Sequence, residues 1–350
     1  MKNEKNALPG RSCSIRELAK YVGLSTCTVS KVLNNRAGNK IPSATQQRVL
    51  AAAKELDYVP NVNAQRLFRK RSGVLGLLVP ANPLTSGNVF GDAHFVDILG
   101  GMEPLLEEND SHLMLLFRNE ERRPEERYGK LFRAGTIDGL LIWGASPECG
   151  YFRELEENKL PYVFITSRPL EAVADEVNLV SSDFHATARD VTQALLRVGC
   201  RKLLFLAGPE KSSVTSAMRG GVAEALAGSG AELFIRYSRY VPEDAREAVL
   251  AARKSGLAFD GVLCASREMT PGVVEAASGE GFPFPFATLD SPARGALLPQ
   301  EVAAGKVDDS AVGRIAVSSL LELIEGKRSR IRCLIPGTTV TNPRFLPGKA

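Results

Sequence analysis

The stretch LSTCTVSKVLNN concentrates side chains suited to binding a polar partner. Ser25, Thr26, Thr28 and Ser30 carry hydroxyl groups that donate and accept hydrogen bonds, and Lys31 adds a positive charge. A helix cap explains Ser25, but core packing does not require a lysine beside these hydroxyls. The pattern therefore indicates a surface that recognises another molecule.

Two short amphipathic segments and a third behind them position these side chains. Apolar residues recur at helical spacing in the first segment, at Ile15, Leu18, Ala19 and Val22. Gly23 permits a tight turn, and Ser25 can begin a second helix. Its apolar face consists of Val29, Val32 and Leu33. The third segment, Ser43–Leu56, repeats the period with Val49, Leu50, Ala53 and Leu56. These patterns predict a helix-turn-helix closed by a third helix.

Charge is distributed unevenly along the chain. Residues 1–72 contain 14 Lys/Arg against 4 Asp/Glu, a net charge of +10, whereas the whole chain carries +4. A basic, ordered-looking block joined to a mildly acidic body is typical of a nucleic-acid-binding module, because phosphate neutralisation releases counterions. The alternative is a solvated, charge-rich tail.

Composition places the chain among folded globular proteins of two or three domains. It has 350 residues, of which 44% are hydrophobic and 24% charged. There is no apolar run long enough to span a membrane, and the N-terminus is polar, so we expect a cytoplasmic protein. The six cysteines form no CxxC pair, which predicts reduced thiols and no structural metal site.

Beyond Gly73, short apolar runs alternate with longer helical segments. The runs are VLGLLVP, HLMLLF, GLLIWG, YVFIT, KLLFLAG, ELFIRY, GVLCAS and FPFATLD. The helical segments between them include Phe95–Glu108, Ala186–Val198, Ala217–Ala227 and Pro242–Lys254. Such alternation predicts two α/β subdomains, each with a doubly wound parallel sheet covered by helices on both faces. A ligand cleft is expected beyond the carboxyl ends of the strands.

These segments together resemble the lactose-repressor (LacI) family of bacterial transcription regulators. The most specific stretches are SIRELAKYVGLSTCTVSKVLNN and QRVLAAAKELDYVPN, supported by the hinge segment Asn61–Phe68, GGME, IDGLLIWG and GRIAVSSLLELIEG. The resemblance runs from about Ser14 to the end of the chain and is strongest at the N-terminal end. It implies a DNA-binding headpiece, a hinge helix and a periplasmic-binding-protein-like core that forms a homodimer on operator DNA.

The resemblance also divides the chain. It implies a flexible tail at 1–13, a helix-turn-helix headpiece at 14–59 and a hinge helix with linker at 60–72. The first subdomain of the core is expected at 73–172 and 303–326, and the second at 173–302 and 327–350. A small-molecule effector would bind between these two subdomains.

Residues of the second headpiece helix match positions at which the family contacts DNA. Thr26 and Cys27 fall where relatives contact bases, with Lys31 one turn further on, while Ser25 and Thr28 suit phosphates. A thiol is a weak donor, so contact with a thymine methyl is the expected role of Cys27.

Three further positions complete the predicted DNA contacts. Asn34 and Asn63 are placed among them by the resemblance. Leu67 lies where relatives insert a leucine pair into the minor groove, which would kink the duplex, although an ordinary linker residue is the alternative. The hinge segment is too short for a stable isolated helix, so it should order only on DNA.

The effector half departs from the family pattern. Where sugar-binding relatives carry an Asn-Asp pair, this chain has Ser266 and Arg267, and where they carry an arginine it has Met218, with Arg219 one position away. Asp290 matches the ligand-binding aspartate of the family. The remaining positions that line the pocket in relatives are His94, Phe95 and Tyr240. Core packing is an alternative role for all three.

Arg267 suggests a different ligand chemistry. If its guanidinium points into the cleft, it offers a positive fork for a carboxylate or phosphate. We therefore hypothesise an effector that is anionic or derivatised rather than a neutral monosaccharide, or loss of ligand control. The alternative is that Arg267 faces solvent or pairs with an acidic side chain.

The sequence favours a sequence-specific transcription regulator whose DNA binding is modulated by a small-molecule effector, and the resemblance to the family implies a repressor that controls carbohydrate use. A solute-binding protein of a transport system would fit the α/β core, but it would not explain the basic N-terminal module. An enzyme is disfavoured because no GxSxG, HExxH, phosphate-binding-loop or GxGxxG motif follows a strand, and the three histidines are isolated. No cofactor is predicted.

Overall fold

The computed structural model describes residues 13–34, 40–59, 71–80, 88–118, 128–144, 149–170, 176–279, 284–293 and 296–346. It divides into two compact units, residues 1–72 and residues 73–350. All six cysteines are free thiols. Within the described ranges, no helix is long and apolar enough to cross a membrane.

The described residues of the first unit, 13–34, 40–59 and 71–72, form three helices, α1 (Ile15–Val22), α2 (Thr26–Leu33) and α3 (Ser43–Glu55). Ser14 and Glu17 form a reciprocal capping box at the start of α1. Gly23, with a left-handed φ of 65°, ends α1 and lets the chain turn towards α2. The predicted helix-turn-helix with a third helix is therefore confirmed.

The core of the first unit is small and aliphatic. Leu18, Val29 and Val49, one from each helix, are fully buried at its centre. Leu50 departs from the predicted pattern, since it is 53% exposed while Ala52 is buried. Val49 and Leu50 are adjacent apolar residues, and only one of two neighbours on a helix can face the core.

The second unit contains two six-stranded sheets. The strands in chain order are β1 (Val74–Pro80), β2 (His112–Arg118), β3 (Gly139–Trp143), β4 (Tyr162–Ile165), β5 (Leu179–Ser182), β6 (Lys202–Ala207), β7 (Glu232–Tyr237), β8 (Gly261–Cys264), β9 (Phe286–Pro292), β10 (Glu301–Val307), β11 (Arg332–Ile335) and β12 (Thr338–Thr341). The first sheet has the order β11-β5-β4-β3-β1-β2 and is parallel throughout. The second has the order β12-β10-β9-β8-β6-β7, and β12 is its antiparallel strand.

The helices of the second unit are α4 (Ala93–Glu108), α5 (Gly129–Arg133), α6 (Phe152–Glu157), α7 (Phe184–Arg197), α8 (Ser213–Leu226), α9 (Pro242–Lys254), α10 (Thr270–Gly279) and α11 (Asp309–Ile324). They confirm the predicted α/β class with parallel sheets. The helix α4 crosses α11 closely, with a glycine on each helix at the crossing. A Cβ atom added at Gly101 would lie 2.0 Å from the Ser310 carbonyl oxygen, and a Cβ atom added at Gly313 would lie 2.0 Å from the Ile98 carbonyl oxygen. This approach brings the N-terminal ends of the two helices together.

The sheets are interleaved along the chain, and this differs from the predicted subdomain boundaries. The strands β5 and β11 lie in the first sheet, although the boundaries assigned them to the second subdomain. All of β10 lies in the second sheet, although its residues from Ala303 onward were assigned to the first subdomain. The boundaries differ because the chain crosses between sheets after β5, after β10 and after β11. Four of the strands, β5 and β10–β12, were not predicted.

Candidate functional site

Most of the side chains expected to contact DNA lie on α2 and at its N-cap, with Lys31 in the last turn of the helix. Thr26, Cys27 and Lys31 are exposed, so their polar atoms are accessible. The hydroxyl of exposed Ser25 accepts a hydrogen bond from the Thr28 amide at 3.1 Å, and the two hydroxyls lie 2.9 Å apart. Ser25 is therefore the cap of α2.

The remaining predicted DNA contacts have other surroundings. Asn34 ends α2, and its side-chain amide donates to the Ser30 carbonyl at 2.8 Å. This bond fixes the Asn34 side chain against its own helix. Asn63 and Leu67 lie outside the described residues.

A second candidate site lies between the two sheets of the second unit. His94, in the first turn of α4, places its Nδ1 2.7 Å from Asp309 Oδ2 at the start of α11. Its other ring nitrogen, Nε2, lies 3.8 Å from Asp290 Oδ1 on β9 of the opposite sheet. Asp92 caps α4 through the amides of His94 and Phe95. We call His94, Asp92, Asp290 and Asp309 the histidine–aspartate cluster.

Two atoms of this cluster face each other without a hydrogen-bond partner. His94 Nε2 and Asp290 Oδ1 are both buried, and neither makes a hydrogen bond. At 3.8 Å they are too far apart to bond directly. A buried polar atom without a partner costs free energy, so a hydroxyl group inserted here would find an acceptor and a donor already in place.

Burial and the neighbouring charges of the histidine–aspartate cluster shift the pKa values of His94 and Asp290. Burial by itself lowers the pKa of His94, but Asp290, Asp309 and Asp92 outweigh this effect and raise it to about 10. Burial raises the pKa of Asp290 to about 7, against the opposing influence of His94. His94 is therefore positively charged at neutral pH, and Asp290 titrates near neutrality.

Tyr240 belongs to the same region. Burial is the main cause that raises the pKa of its hydroxyl to about 12, and the Asp290 carboxylate adds to it. A Cβ at Gly208 would lie 2.0 Å from the Tyr240 hydroxyl oxygen, so glycine is needed there. The role of Tyr240 as a residue that lines the effector pocket stays a prediction.

Phe95 has a structural position instead. Its side chain is fully buried in the core beside the first sheet, with its ring centroid 4.9 Å from that of Trp143. Of the two roles considered for Phe95, core packing describes this position better than the lining of an open cleft.

The expectation that Arg267 offers a free fork to a ligand is wrong. Its Nη1 lies 2.8 Å from Oε2 of Glu301, a fully buried carboxylate on β10. Its Nε donates to Ser291 Oγ at 3.3 Å, and Nη2 donates to the Ala296 carbonyl. Ser266 is buried and caps the short helical turn that contains Arg267. These side chains therefore stabilise the second subdomain.

Arg219 is not brought to the histidine–aspartate cluster. It is exposed on α8, whereas the adjacent Met218 is buried in the core. Neighbouring side chains on a helix are separated by about 100°, so Arg219 points away from the face that Met218 presents to the sheet. Its predicted role in effector binding thus lacks geometric support.

Sequence reasoning missed Asp92, Asp309 and Glu301. For Asp309 a signal existed, because KVDDSAVGRIAV places two aspartates directly before an apolar helix, as at many helix starts. No local pattern in the sequence points to Glu301, because its partner Arg267 is 34 residues away in sequence.

Stability should depend on pH through this cluster. Asp290 binds a proton more tightly when folded, so the free energy of unfolding should fall as pH rises from its ordinary pKa of 3.8 to about 7. The pKa of His94 is raised from 6.5 to about 10, so the free energy of unfolding should continue to fall as pH rises through this higher range. Asp290→Asn should remove the lower window, as measured by urea denaturation at successive pH values. Exposed Glu103→Gln is the control, and an Asp290→Asn profile equal to wild type between pH 4 and 7 would contradict the assignment.

Comparison with known proteins shows two family matches. Residues 14–61 match bacterial regulatory proteins, lacI family, and residues 72–342 match periplasmic binding proteins and sugar binding domain of LacI family. The HTH-type transcriptional regulator MalR of Streptococcus pneumoniae is 26% identical over 213 residues, which is 61% of this chain and 62% of that protein. The match thus spans less than two thirds of that relative.

Two further proteins are similar over more of their length. The ribose operon repressor of Halalkalibacterium halodurans is 25% identical over 266 residues, 75% of each protein. The solved structure of the lac repressor dimer bound to operator and the anti-inducer ONPF has a TM-score of 0.78 at 19% identity and covers 95% of this chain and 98% of its own. This likeness concerns the fold.

Proposed function

Because the chain belongs to the lacI family of bacterial regulatory proteins, we propose that it is a sequence-specific DNA-binding transcription regulator controlled by a small molecule. The observation that carries this function is α2, with Thr26, Cys27 and Lys31 exposed at its outer face within a helix-turn-helix. Such a helix lies in the major groove, where its first residues contact base edges. The basic charge of residues 1–72 supplies attraction to the phosphates.

The names of the relatives support a repressor of sugar-use genes. Among them is a ribose operon repressor. The family consists of transcription regulators rather than enzymes. A solute-binding protein of a transport system would also use the α/β core, but residues 14–61 match bacterial regulatory proteins of the lacI family. We therefore place the protein in the cytoplasm, at the nucleoid when it is bound to DNA.

The proposed effector site is the histidine–aspartate cluster with Tyr240. It joins the first sheet, through His94, to the second sheet, through Asp290. A hydroxyl-bearing ligand inserted between these atoms would bridge the two subdomains and so favour one of their arrangements over another. This is how a ligand at the cluster would change the affinity for DNA.

Lys31→Ala should weaken binding to an operator selected from a random-sequence library by about 10-fold. If Lys31 contacts a phosphate, the slope of log affinity against log salt should fall by about one; if it contacts a base, the preference at one position should relax. Fluorescence anisotropy at several salt concentrations distinguishes these outcomes. Lys54→Ala, on the exposed side of α3, is the control, and unchanged affinity of Lys31→Ala would contradict this use of α2.

A homodimer is proposed from exposed aromatic side chains at the edge of the first sheet. Phe117 on the edge strand β2 is 56% exposed, and its ring centroid lies 6.3 Å from that of Phe90, which is 52% exposed. Exposed apolar clusters of this kind mark interfaces, and two-fold pairing doubles the number of bases contacted. Relatives include a dimer on operator DNA.

Phe117→Lys should dissociate this dimer at micromolar concentration, because it would bury a charge at the interface. Sedimentation velocity of the full chain should show half the wild-type mass. Val340→Lys, at the edge strand β12 of the other sheet, should leave the mass unchanged. A monomeric wild type, or a dimer that survives Phe117→Lys, would contradict this interface.

A further inference from the structure

Two buried carboxylates on neighbouring strands of the second sheet have different surroundings. Glu301 on β10 accepts a charge-assisted hydrogen bond from Arg267 and two neutral hydrogen bonds. Asp290 on β9 accepts no hydrogen bond from the described residues, although its Oδ1 is buried and its side chain is only 15% exposed. A buried carboxylate without a hydrogen-bond donor costs free energy, so the fold leaves Asp290 in need of an external partner.

An extra residue in β9 separates Asp290 from the Arg267–Glu301 pair. Three steps along β9, from Thr288 to Ser291, pair with two steps along β10, and Asp290 lies within this bulge. The hydroxyls at both ends of the bulge contact the Arg267–Glu301 pair, whereas Asp290 faces the opposite sheet. Bulges re-aim side chains, so this one directs Asp290 towards the opposite sheet rather than towards Arg267.

His94, across the gap between the sheets, compensates the Asp290 carboxylate incompletely. Its Nδ1 lies 2.7 Å from Asp309 Oδ2, whereas its Nε2 lies 3.8 Å from Asp290 Oδ1, beyond hydrogen-bond distance. Burial raises the pKa of Asp290 to about 7, although His94 opposes the shift. The charges of Asp309 and Asp92 contribute to the same rise. Three carboxylates therefore share one imidazolium, and a further positive charge would be attracted here.

The partner that Asp290 lacks fits an organic cation better than a metal ion. None of the described groups of His, Cys, Asp and Glu side chains could hold a metal ion. The pKa of His94, raised to about 10, keeps both of its ring nitrogens protonated at neutral pH, so neither nitrogen can bind a metal. A primary ammonium instead brings a full positive charge and N–H donors to a carboxylate that has no donor.

We propose that the effector carries a positively charged amino group, which binds the Asp290 carboxylate in the histidine–aspartate cluster. That this cluster is the effector site rests on the proposed function, whereas binding of an amine to Asp290 can be measured without DNA. An anionic effector would need the charge of Arg267, which Glu301 takes up. A neutral sugar donates hydroxyl groups but leaves the charge of Asp290 uncompensated, so it should bind more weakly than its amino counterpart.

The test is calorimetric titration of the full chain at pH 7 with sugars that differ in one group. Glucosamine and 6-amino-6-deoxyglucose are each compared with glucose, and galactosamine is compared with galactose. At least one amino sugar should bind saturably, with a Kd about 10-fold or more below that of its neutral match, because a charge-assisted hydrogen bond is stronger than a neutral one. Binding should also release protons, since an ammonium beside Asp290 lowers the pKa of that carboxyl. Titration in buffers of different ionisation enthalpy measures this release.

Asp290→Asn separates the charge of the site from its shape. This variant should lose both the preference for amino sugars and the proton release, whereas Glu103→Gln, which alters an exposed acid on α4, should keep both. Amino sugars that bind no more tightly than their neutral matches would overturn the proposal, as would a preference that survives in Asp290→Asn. Absence of saturable binding by all three amino sugars up to about 10 mM would overturn it as well.

Operator binding, measured on the same samples by fluorescence anisotropy, tests the proposed function separately. A protein that binds operator but no amino sugar contradicts the amine proposal and leaves the regulator function intact. A protein that binds amino sugars through Asp290 but binds no operator contradicts the regulator function and leaves the amine site intact.

Discussion

Arg267→Met is expected to lower the free energy of unfolding by about 3–5 kcal/mol, because it leaves a carboxylate buried without its partner. Glu301 has no exposed surface, and its Oε2 lies 2.8 Å from the guanidinium of Arg267. The remaining contacts of this carboxylate, from the Thr288 hydroxyl at 2.6 Å and the Leu298 amide at 2.9 Å, are neutral. Urea denaturation followed by circular dichroism measures the loss.

A double variant separates the charge effect from the loss of packing. Arg267→Met with Glu301→Gln removes both charges, so much of the lost stability should return. Arg236→Met, an exposed arginine on β7, should change stability by less than about 0.5 kcal/mol. Lys306, whose amine donates to Ser291 Oγ at 3.1 Å, is a nearby positive charge that moderates the effect. Equal stability of Arg267→Met and wild type would show that the Arg267–Glu301 pair has no net role.

His94→Ala is expected to abolish stabilisation by sugar ligands, with a loss of affinity of about 100-fold or more. A ligand hydroxyl between His94 and Asp290 makes one hydrogen bond to a cation and one to a carboxylate, each contributing about 1.5–3 kcal/mol. Thermal denaturation with ribose, maltose and cellobiose should identify a sugar that raises the Tm of wild type. That rise should disappear in His94→Ala and Asp290→Asn.

The matched control is His112→Asn, which alters an exposed histidine at the start of β2. Operator affinity without ligand should be similar in all these proteins, because the histidine–aspartate cluster lies in the second unit and α2 in the first. A sugar that stabilises wild type and His94→Ala equally would exclude His94 from the effector site. Lack of stabilisation by any of the three sugars would count against a neutral sugar as the ligand.

The three described helices of the first unit could be predicted because their signals are local. Ser14, Gly23 and Ser25 mark where helices begin and end, and each acts within a few residues of its own position. The ambiguity between Val49 and Leu50 arose because periodicity alone does not choose between adjacent apolar residues. Tertiary packing buries Val49 and leaves Leu50 exposed.

The second unit was harder to predict because its decisive contacts join distant parts of the chain. The strand β10 contains Glu301 and Lys306, and two charged residues do not suggest a buried strand. Both are tolerated because partners from β8–β9 and the segments that follow them neutralise or hydrogen-bond them. The role of Arg267 could not be predicted for the same reason, because its partner is Glu301 on β10. The cluster position of His94 was found through the family resemblance, but its bond to Asp309 requires the crossing of α4 and α11.

The interleaving of the two sheets has a consequence for synthesis of the protein on the ribosome. Pairing of Leu179 with Arg332 closes the first sheet across roughly 150 residues of intervening chain, and the edge strand of the second sheet ends at Thr341. At typical elongation rates of about 5–20 residues per second, the helix-turn-helix emerges many seconds before either sheet is complete. A nascent chain therefore carries a folded DNA-binding module while the part that senses ligand is still open. Premature termination anywhere before β11 would release a protein in which both sheets lack an edge strand.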